Sequence, residues 1–347
     1  MVNKLKLAYF VEKDNAPSET FIAKEIAEFR SYGAEIDVYP LIKKYKPTYY
    51  LRVNKLKKLK YDAVIAHFFS APAREAYRCF KNSDIPLIIS CHAQDVFVEN
   101  MNEKLQNNIL SRADKIVTCC KGNLECLKGK FPGFESKMEL YYHGVKLFDN
   151  TLPKHYFLRD NKLRLLFAGR LVEKKGLAEF INLLGSIREK LDREVELTIV
   201  GDGKEKIEII RAISANNMND MVNILPFCAQ EELKKHYLSA DMFVFPSIIA
   251  QNGDRDGLAN VILEAFSHGL PVLATAVNGT IDAVKDGESG FIMDYYAPYS
   301  LLDLLNSVTP EELNNVAKVA FLNASTKFNH ETCLRLFYDS LNTSVFG

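Results

Sequence analysis

The sequence predicts an α/β protein built from two doubly wound parallel-sheet domains, and three observations carry that expectation. The chain has 347 residues, which suits two domains of about 150–200 residues better than one. Short apolar runs alternate with helical patterns through the first half. Strands are expected at 5–11, 36–41, 63–67, 87–91, 115–119 and 138–142, with helices such as 18–32 and 71–80 between several of them. The alternation restarts at 163–167, after a stretch of mixed polarity at 146–162 that contains Pro153 and reads as a linker. Domains are therefore expected over 1–150 and 151–327.

Composition narrows the function classes. The chain is 48% hydrophobic and 25% charged, and it contains no apolar run near the ~20 residues that a membrane span needs. The opening MVNKLKLAYFV has a basic flank but too short an apolar run for a signal peptide, so it reads as a first strand and the expected location is cytoplasmic. Seven cysteines without a C-x-x-C pair suggest buried or incidental thiols, not a redox or zinc motif. Net charge is zero, yet residues 1–150 carry 24 Lys/Arg against 18 Asp/Glu, and the remainder 20 against 26. Much of the basic excess lies in residues 43–60, where eight cations are interleaved with tyrosine and leucine and no acid intervenes. Two readings of that segment stay open, an ordinary solvated helix and a peripheral contact with anionic lipid at the inner face of the membrane. No nucleic-acid motif accompanies the charge, so no nucleic-acid partner is expected.

Ligands of doubly wound sheets bind beyond the carboxyl ends of the strands. In the first half that rule selects the loop Asp14–Thr20, then His67, then His92 to Asp95. The first loop lacks the Gly-rich dinucleotide fingerprint, which argues against NAD chemistry. In the second half the rule selects AGRLVEKKG at 168–176, where Gly169 and Gly176 bracket Arg170 and Lys175. One guanidinium and one ammonium at that spacing can meet a single diphosphate. The next strand ends in Gly201, Asp202 and Gly203, small or turn-forming residues that let backbone approach a nucleotide, and LPFCAQ at 225–230 places Phe227 on the following turn.

The densest signal is DGLANVILEAFSHGLPV at 256–272. Asp256 and Gly257 form a turn, and a helix is expected to begin near Leu258 to Asn260, with its unpaired N–H groups and positive dipole end toward that turn. Glu264 lies one to two turns deeper. Two carboxylates beside a phosphate-binding helix start suit a sugar nucleotide, whose hydroxyls want acceptors and whose diphosphate wants donors.

These tracts resemble the retaining glycosyltransferase family 4. The resemblance rests on PSETFI at 17–22, IISCHAQDVF at 88–97, GRLVEKKG at 169–176, ADMFVFPS at 240–247 and the 256–275 tract, and it spans roughly residues 5–340. It implies the GT-B fold, two Rossmann-like domains facing each other across a cleft, with a terminal helix at about 328–347 returning to the N-terminal, acceptor-side domain. It also implies a nucleotide-sugar-binding C-terminal domain. The family's paired acids fall on Asp256 and Glu264, its HGxD motif on His92 and Asp95, and its two diphosphate-binding cations on Arg170 and Lys175. Gly169, Gly201, Phe227, Gly257, Leu258 and Asn260 fall on donor-binding positions. The chain departs from the pattern at Ala93, where Gly is usual, at Asp256 and Asp282, where Glu is common, and at Cys120 and His143, where Ser and Asn are frequent.

The expected activity is transfer of a sugar from a nucleotide-diphosphate sugar, preferably a UDP-sugar, to a glycan or lipid-linked acceptor in surface polysaccharide biosynthesis. Catalytic residues are expected at His92, Asp256 and Glu264. With no carboxylate pair placed as nucleophile and acid, configuration is expected to be retained without a metal or cofactor. Two rivals share the fold: a UDP-sugar epimerase, and a non-catalytic sugar-nucleotide-binding scaffold subunit.

Overall fold

The computed structural model describes residues 4–13, 20–41, 56, 58–98, 101–153 and 157–346. The expected first loop, Asp14–Thr20, lies outside the described residues except for Thr20, and the basic segment 43–60 except for 56 and 58–60. The strands that are described form two six-stranded sheets in which every pairing is parallel. The chain divides into one unit of residues 1–143 with 330–347, and a second of residues 144–329. The linker end and return point differ by a few residues from the expected 150 and 328, because residues 144–153 hold to the second unit. Val145 N–H donates to Phe328 O, and the Phe148 ring stacks on His268 at 4.9 Å.

In the first unit, β1 (Lys6–Val11), β2 (Glu35–Pro40), β3 (Ala63–His67), β4 (Leu87–Cys91), β5 (Lys115–Thr118) and β6 (Met138–Leu140) take the order β2-β1-β3-β4-β5-β6. Period-two alternation splits β1 between two cores: Ala8 and Phe10 join one face, while Leu7, Tyr9 and Val11 join the other. The helix Thr20–Ser31 buries Ile22, Ile26 and Phe29 on the second face. The terminal helix His330–Phe346 covers that same face with Leu334, Phe337, Tyr338 and Leu341, and Phe29 meets Tyr338 edge-on at 5.0 Å. Burying four such side chains contributes on the order of several kcal/mol. The last segment therefore belongs to the first unit by packing, although it follows the second in sequence.

In the second unit, β7 (Lys162–Ala168), β8 (Glu194–Val200), β9 (Val222–Leu225), β10 (Met242–Phe245), β11 (Val272–Thr275) and β12 (Gly290–Met293) run in the order β12-β11-β10-β7-β8-β9. Strand order reverses between β7 and β10, as it does between β1 and β3 in the first unit. A doubly wound sheet opens a crevice for ligand at such a reversal. β10 ends at Phe245, inside the 240–247 tract, because Pro246 has no N–H to give to the ladder. The loops beyond β7 and β8 press together: a Cβ on Gly201 would stand 2.0 Å from the Gly169 carbonyl oxygen. Among the described residues no helix is long and apolar enough to cross a membrane.

Candidate active site

The reversal point of the second sheet gathers most of the donor-site residues that the sequence singled out. After β7 the chain makes a short 3-10 turn over Glu173–Lys175, then Gly176 with φ +62° starts the helix Leu177–Ile187. After β10 a loop returns to the same place, and Ile248 N–H donates to Lys174 O at 3.0 Å while Gln251 N–H donates to Glu173 Oε1 at 2.7 Å. These bonds join the two loops. They bring Lys175 Nζ to 2.7 Å from Asp256 Oδ2 and Lys174 Nζ to 3.0 Å from Asp254 Oδ1 and 3.6 Å from Asp256 Oδ1. Lys175 also lies 4.7 Å over the Phe245 ring, which holds its stem against the strand end.

Burial would push the Asp256 carboxyl up, but Lys175, Lys174 and Arg170 outweigh it and hold the group below the ordinary carboxylate range. The pairing thus contributes stability above that range and loses it as pH falls through the lower, folded value. Arg170 itself is exposed, close enough to act on Asp256 by charge. Lys174, beside the two cations that the sequence singles out in this loop, is also part of this network. The shorter Asp side chain still reaches both lysines, so the departure at position 256 keeps a carboxylate at the centre of the cluster.

The helix that follows runs Asn260–Ser267, and its N-cap, Ala259, has no side-chain acceptor to cover the first-turn N–H groups. Gly257 and Leu258 lead into it. Glu264 sits half-buried one turn along, and Tyr237 Oη–H donates to its Oε2 at a long 3.5 Å. Tyr237 is stacked at 4.7 Å on His268, which is stacked in turn on Phe148, so an aromatic column backs this part of the helix. Phe227 is 82% exposed beyond β9, a ring held on the surface without a packing role. If the expected sugar-nucleotide site is there, Glu264→Ala should weaken UDP by roughly 10–100-fold with the fold intact, the equivalent of one hydrogen bond to a charged group; isothermal titration reads it.

A second cluster lies at the strand ends of the first unit. His92, after β4, caps the helix Ala93–Phe97, with its N–H donating to Asp95 Oδ1 at 2.6 Å. The other Asp95 oxygen accepts from Phe69 N–H, so Asp95 ties the loop after β3 to the loop after β4. Ala93 opens this helix without a positive φ, and the missing glycine therefore demands nothing unusual of the backbone. The strain instead lies at Phe68, where φ is +77°. His67 Nε2 is 3.1 Å from Glu25 Oε1, and its Nδ1 is 3.4 Å from His92 Nε2. Tyr9 Oη–H donates to the same Glu25 oxygen at 2.9 Å. Phe21 packs on His92 at 4.8 Å and on His143 at 4.6 Å.

Burial pushes His92 well below the usual histidine range, reinforced by His143 and His67. His143 is pushed down to about 4, also by burial. Glu25 is lowered as well, but against its burial: burial would raise its carboxyl, and His67 chiefly holds it below its ordinary value. Glu25 was not singled out in the sequence. The signal was there, since a charge at position 25 interrupts the apolar stripe Ile22, Ile26, Phe29.

Two family models divide the chain, Glycosyltransferase Family 4 matching residues 17–147 and Glycosyl transferases group 1 matching residues 149–319. Over 183 residues the chain is 31% identical to the amylovoran biosynthesis glycosyltransferase AmsK of Erwinia amylovora, covering 51% of this chain and 45% of that protein. The chain spans about half the length of the curated relatives it matches. In fold it is similar to a glycosyltransferase from Rickettsia africae ESF-5, with TM-score 0.77 at 15% identity over 98% of this chain and 99% of the other. It is also similar to Anabaena Alr3699/HepE in complex with UDP, with TM-score 0.74 at 16% identity over 98% and 100%. With two parallel Rossmann-like sheets, a cationic loop and an acid-bearing helix at the reversal point, and both family models in sequence order, the chain belongs to glycosyltransferase family 4 and has the GT-B fold.

Proposed function

We propose that the protein is a retaining glycosyltransferase that moves a sugar from a nucleotide-diphosphate sugar to a glycan or lipid-linked acceptor in surface polysaccharide biosynthesis. The observation that carries the reading is the meeting of Lys175 with Asp256 beside Arg170 and the uncapped helix start at Asn260. Departure of a nucleoside diphosphate leaves negative charge on the phosphate oxygens and positive charge on the sugar ring. Arg170, Lys175 and the first-turn N–H groups suit the former charge. Asp256, already an anion, suits sugar hydroxyls once the diphosphate takes its place beside Lys175. Glu264 is assigned to the ribose and His92, neutral by burial, to the sugar and the reacting face.

Retention follows from attack on the face that the diphosphate leaves, with no carboxylate nucleophile assigned. The two cations and the helix start are assigned the charge that a metal would otherwise neutralise, so transfer is expected to persist in a chelator. UDP is the preferred nucleotide, supported by the UDP complex of the Anabaena neighbour, and the polysaccharide role by the amylovoran relative. We place the reaction in the cytoplasm; residues 43–60 stay open between an ordinary solvated helix and a peripheral membrane contact, and charge reversal there that leaves sedimentation with anionic liposomes unchanged would remove the second.

The deciding experiment is a thermal-shift panel of UDP, GDP and ADP and their sugar conjugates on the wild type and Lys175→Ala. A rise of Tm with one nucleotide class that vanishes in the variant supports the donor site; no shift with any of them favours a non-catalytic scaffold. An epimerised sugar formed without acceptor would identify an epimerase instead. Phe227→Ala is expected to weaken the nucleotide by about 1–2 kcal/mol through lost base stacking. Because its ring is 82% exposed, Tm without ligand should stay unchanged.

A further inference from the structure

We infer that His92, Cys119 and His143 form a binding site for one thiophilic transition-metal cation of the zinc class. The three residues follow β4, β5 and β6, which lie side by side and parallel, so each stands just beyond the carboxyl end of its strand. One donor atom from each lies within 4.8 Å of the others. The imidazole planes of His92 and His143 are inclined by only 21°, with centroids 5.6 Å apart. A modest closure of two side chains brings such a set to the ~2.0–2.3 Å bonds of a tetrahedral ion.

A second observation points to a ligand. His143 Nε2 is buried and has no hydrogen-bond partner among the described residues. A buried polar atom left in that condition destabilises the fold, and a metal bond would remove the deficit. His92 is not strongly held either: its Nε2 lies 3.4 Å from both His67 Nδ1 and Ser90 Oγ, long contacts that ligation would replace.

The donor set names the ion class. Two imidazoles and a thiolate favour Zn²⁺ and its neighbours in the transition series over Mg²⁺ or Ca²⁺, which take oxygen ligands. Three protein ligands leave a coordination position open. On ligation the Cys119 thiol gives its proton to solvent, so affinity rises with pH. The site itself is independent of the transferase reading. Its consequence rests on that reading: a bound ion withdraws His92 from the reacting face, so the site is inhibitory.

The test uses the full chain, stripped with chelator and titrated with Co²⁺. Wild type should develop a thiolate-to-cobalt charge-transfer band and visible bands of four-coordinate cobalt, both displaced by Zn²⁺. Cys119→Ser should lose the charge-transfer band, and both Cys119→Ser and His143→Asn should lose at least about 100-fold in Zn²⁺ affinity, more than an outer-shell change costs. Cys120→Ser should keep both band and affinity. Circular dichroism without metal checks that each variant folds, and His143→Asn reads the site independently should Cys119→Ser fail to fold. Absence of a charge-transfer band in wild type at saturating Co²⁺, or its persistence in Cys119→Ser, would overturn the site. In transfer assays Zn²⁺ should inhibit wild type reversibly and Cys119→Ser far less. Cobalt binding at these residues without inhibition by zinc would keep the site but overturn the placement of His92 at the reacting face.

Discussion

Lys175→Ala is expected to lower kcat/KM for sugar transfer by about 10²–10³-fold, the loss typical of removing one preorganised group from a developing anion. The lysine is nearly buried, fixed over Phe245 and placed 2.7 Å from Asp256. Its ammonium is therefore oriented before any ligand arrives, and in the proposed reaction little reorganisation is needed when charge develops on the leaving diphosphate. Its removal also leaves Asp256 with only Lys174 and Arg170 to oppose burial, so the carboxyl should titrate at higher pH. Steady-state rates with the donor identified by thermal shift measure the first effect. Lys174→Ala should cost less, because Lys174 divides its ammonium between Asp254 and Asp256. Transfer at the wild-type rate in Lys175→Ala would remove the cationic loop from the mechanism.

Gly176→Ala is expected to disable the same site through the backbone. Gly176 adopts φ +62°, a conformation that L side chains rarely take, and an added Cβ would stand 2.0 Å from the Pro246 carbonyl oxygen and 2.8 Å from Tyr295 Oη. Those atoms are bonded to each other, since Tyr295 Oη–H donates to Pro246 O at 2.5 Å and to Gly176 O at 3.0 Å. The loop beyond β7 would have to separate from the loop beyond β10. Strain and displacement together should cost about 3 kcal/mol or more. For a unit of this size that is a fall in Tm of roughly 6–12 °C. Calorimetry reads the loss, and nucleotide should no longer raise Tm, because Lys175 and Asp256 would be drawn apart. A stable variant that still binds nucleotide would show that the two loops act independently.

Much of the fold was legible because its signals are local. A strand buried on both faces is a short apolar run, and a turn announces itself through Gly, Pro or Asp, so β3 and β4 fall where the sequence placed them. Boundaries shifted where a single residue decides them, as Pro246 does for β10. The cationic loop at 168–176 and the acid-bearing helix were also legible as local motifs, because residues adjacent in sequence carry each of them.

What no local signal specifies is which of these motifs meet. Lys175 and Asp256 are 81 positions apart, and Glu25 and His67 are 42 apart. Their contacts depend on which strands lie side by side, a choice made by burial of both sheet faces and not by any motif. The same holds for Cys119 and His143, which read as an incidental thiol and a departure from a family pattern until β4, β5 and β6 align their ends. The sequence by itself determined the α/β class, the repeated doubly wound plan and the chemistry available at each strand end. Tertiary structure alone decided that Glu25 and His67 support His92, and that Lys174 joins Lys175 on Asp256. The physical reason is that periodicity assigns a residue to a face, whereas only the order of strands in the finished sheet assigns it a neighbour.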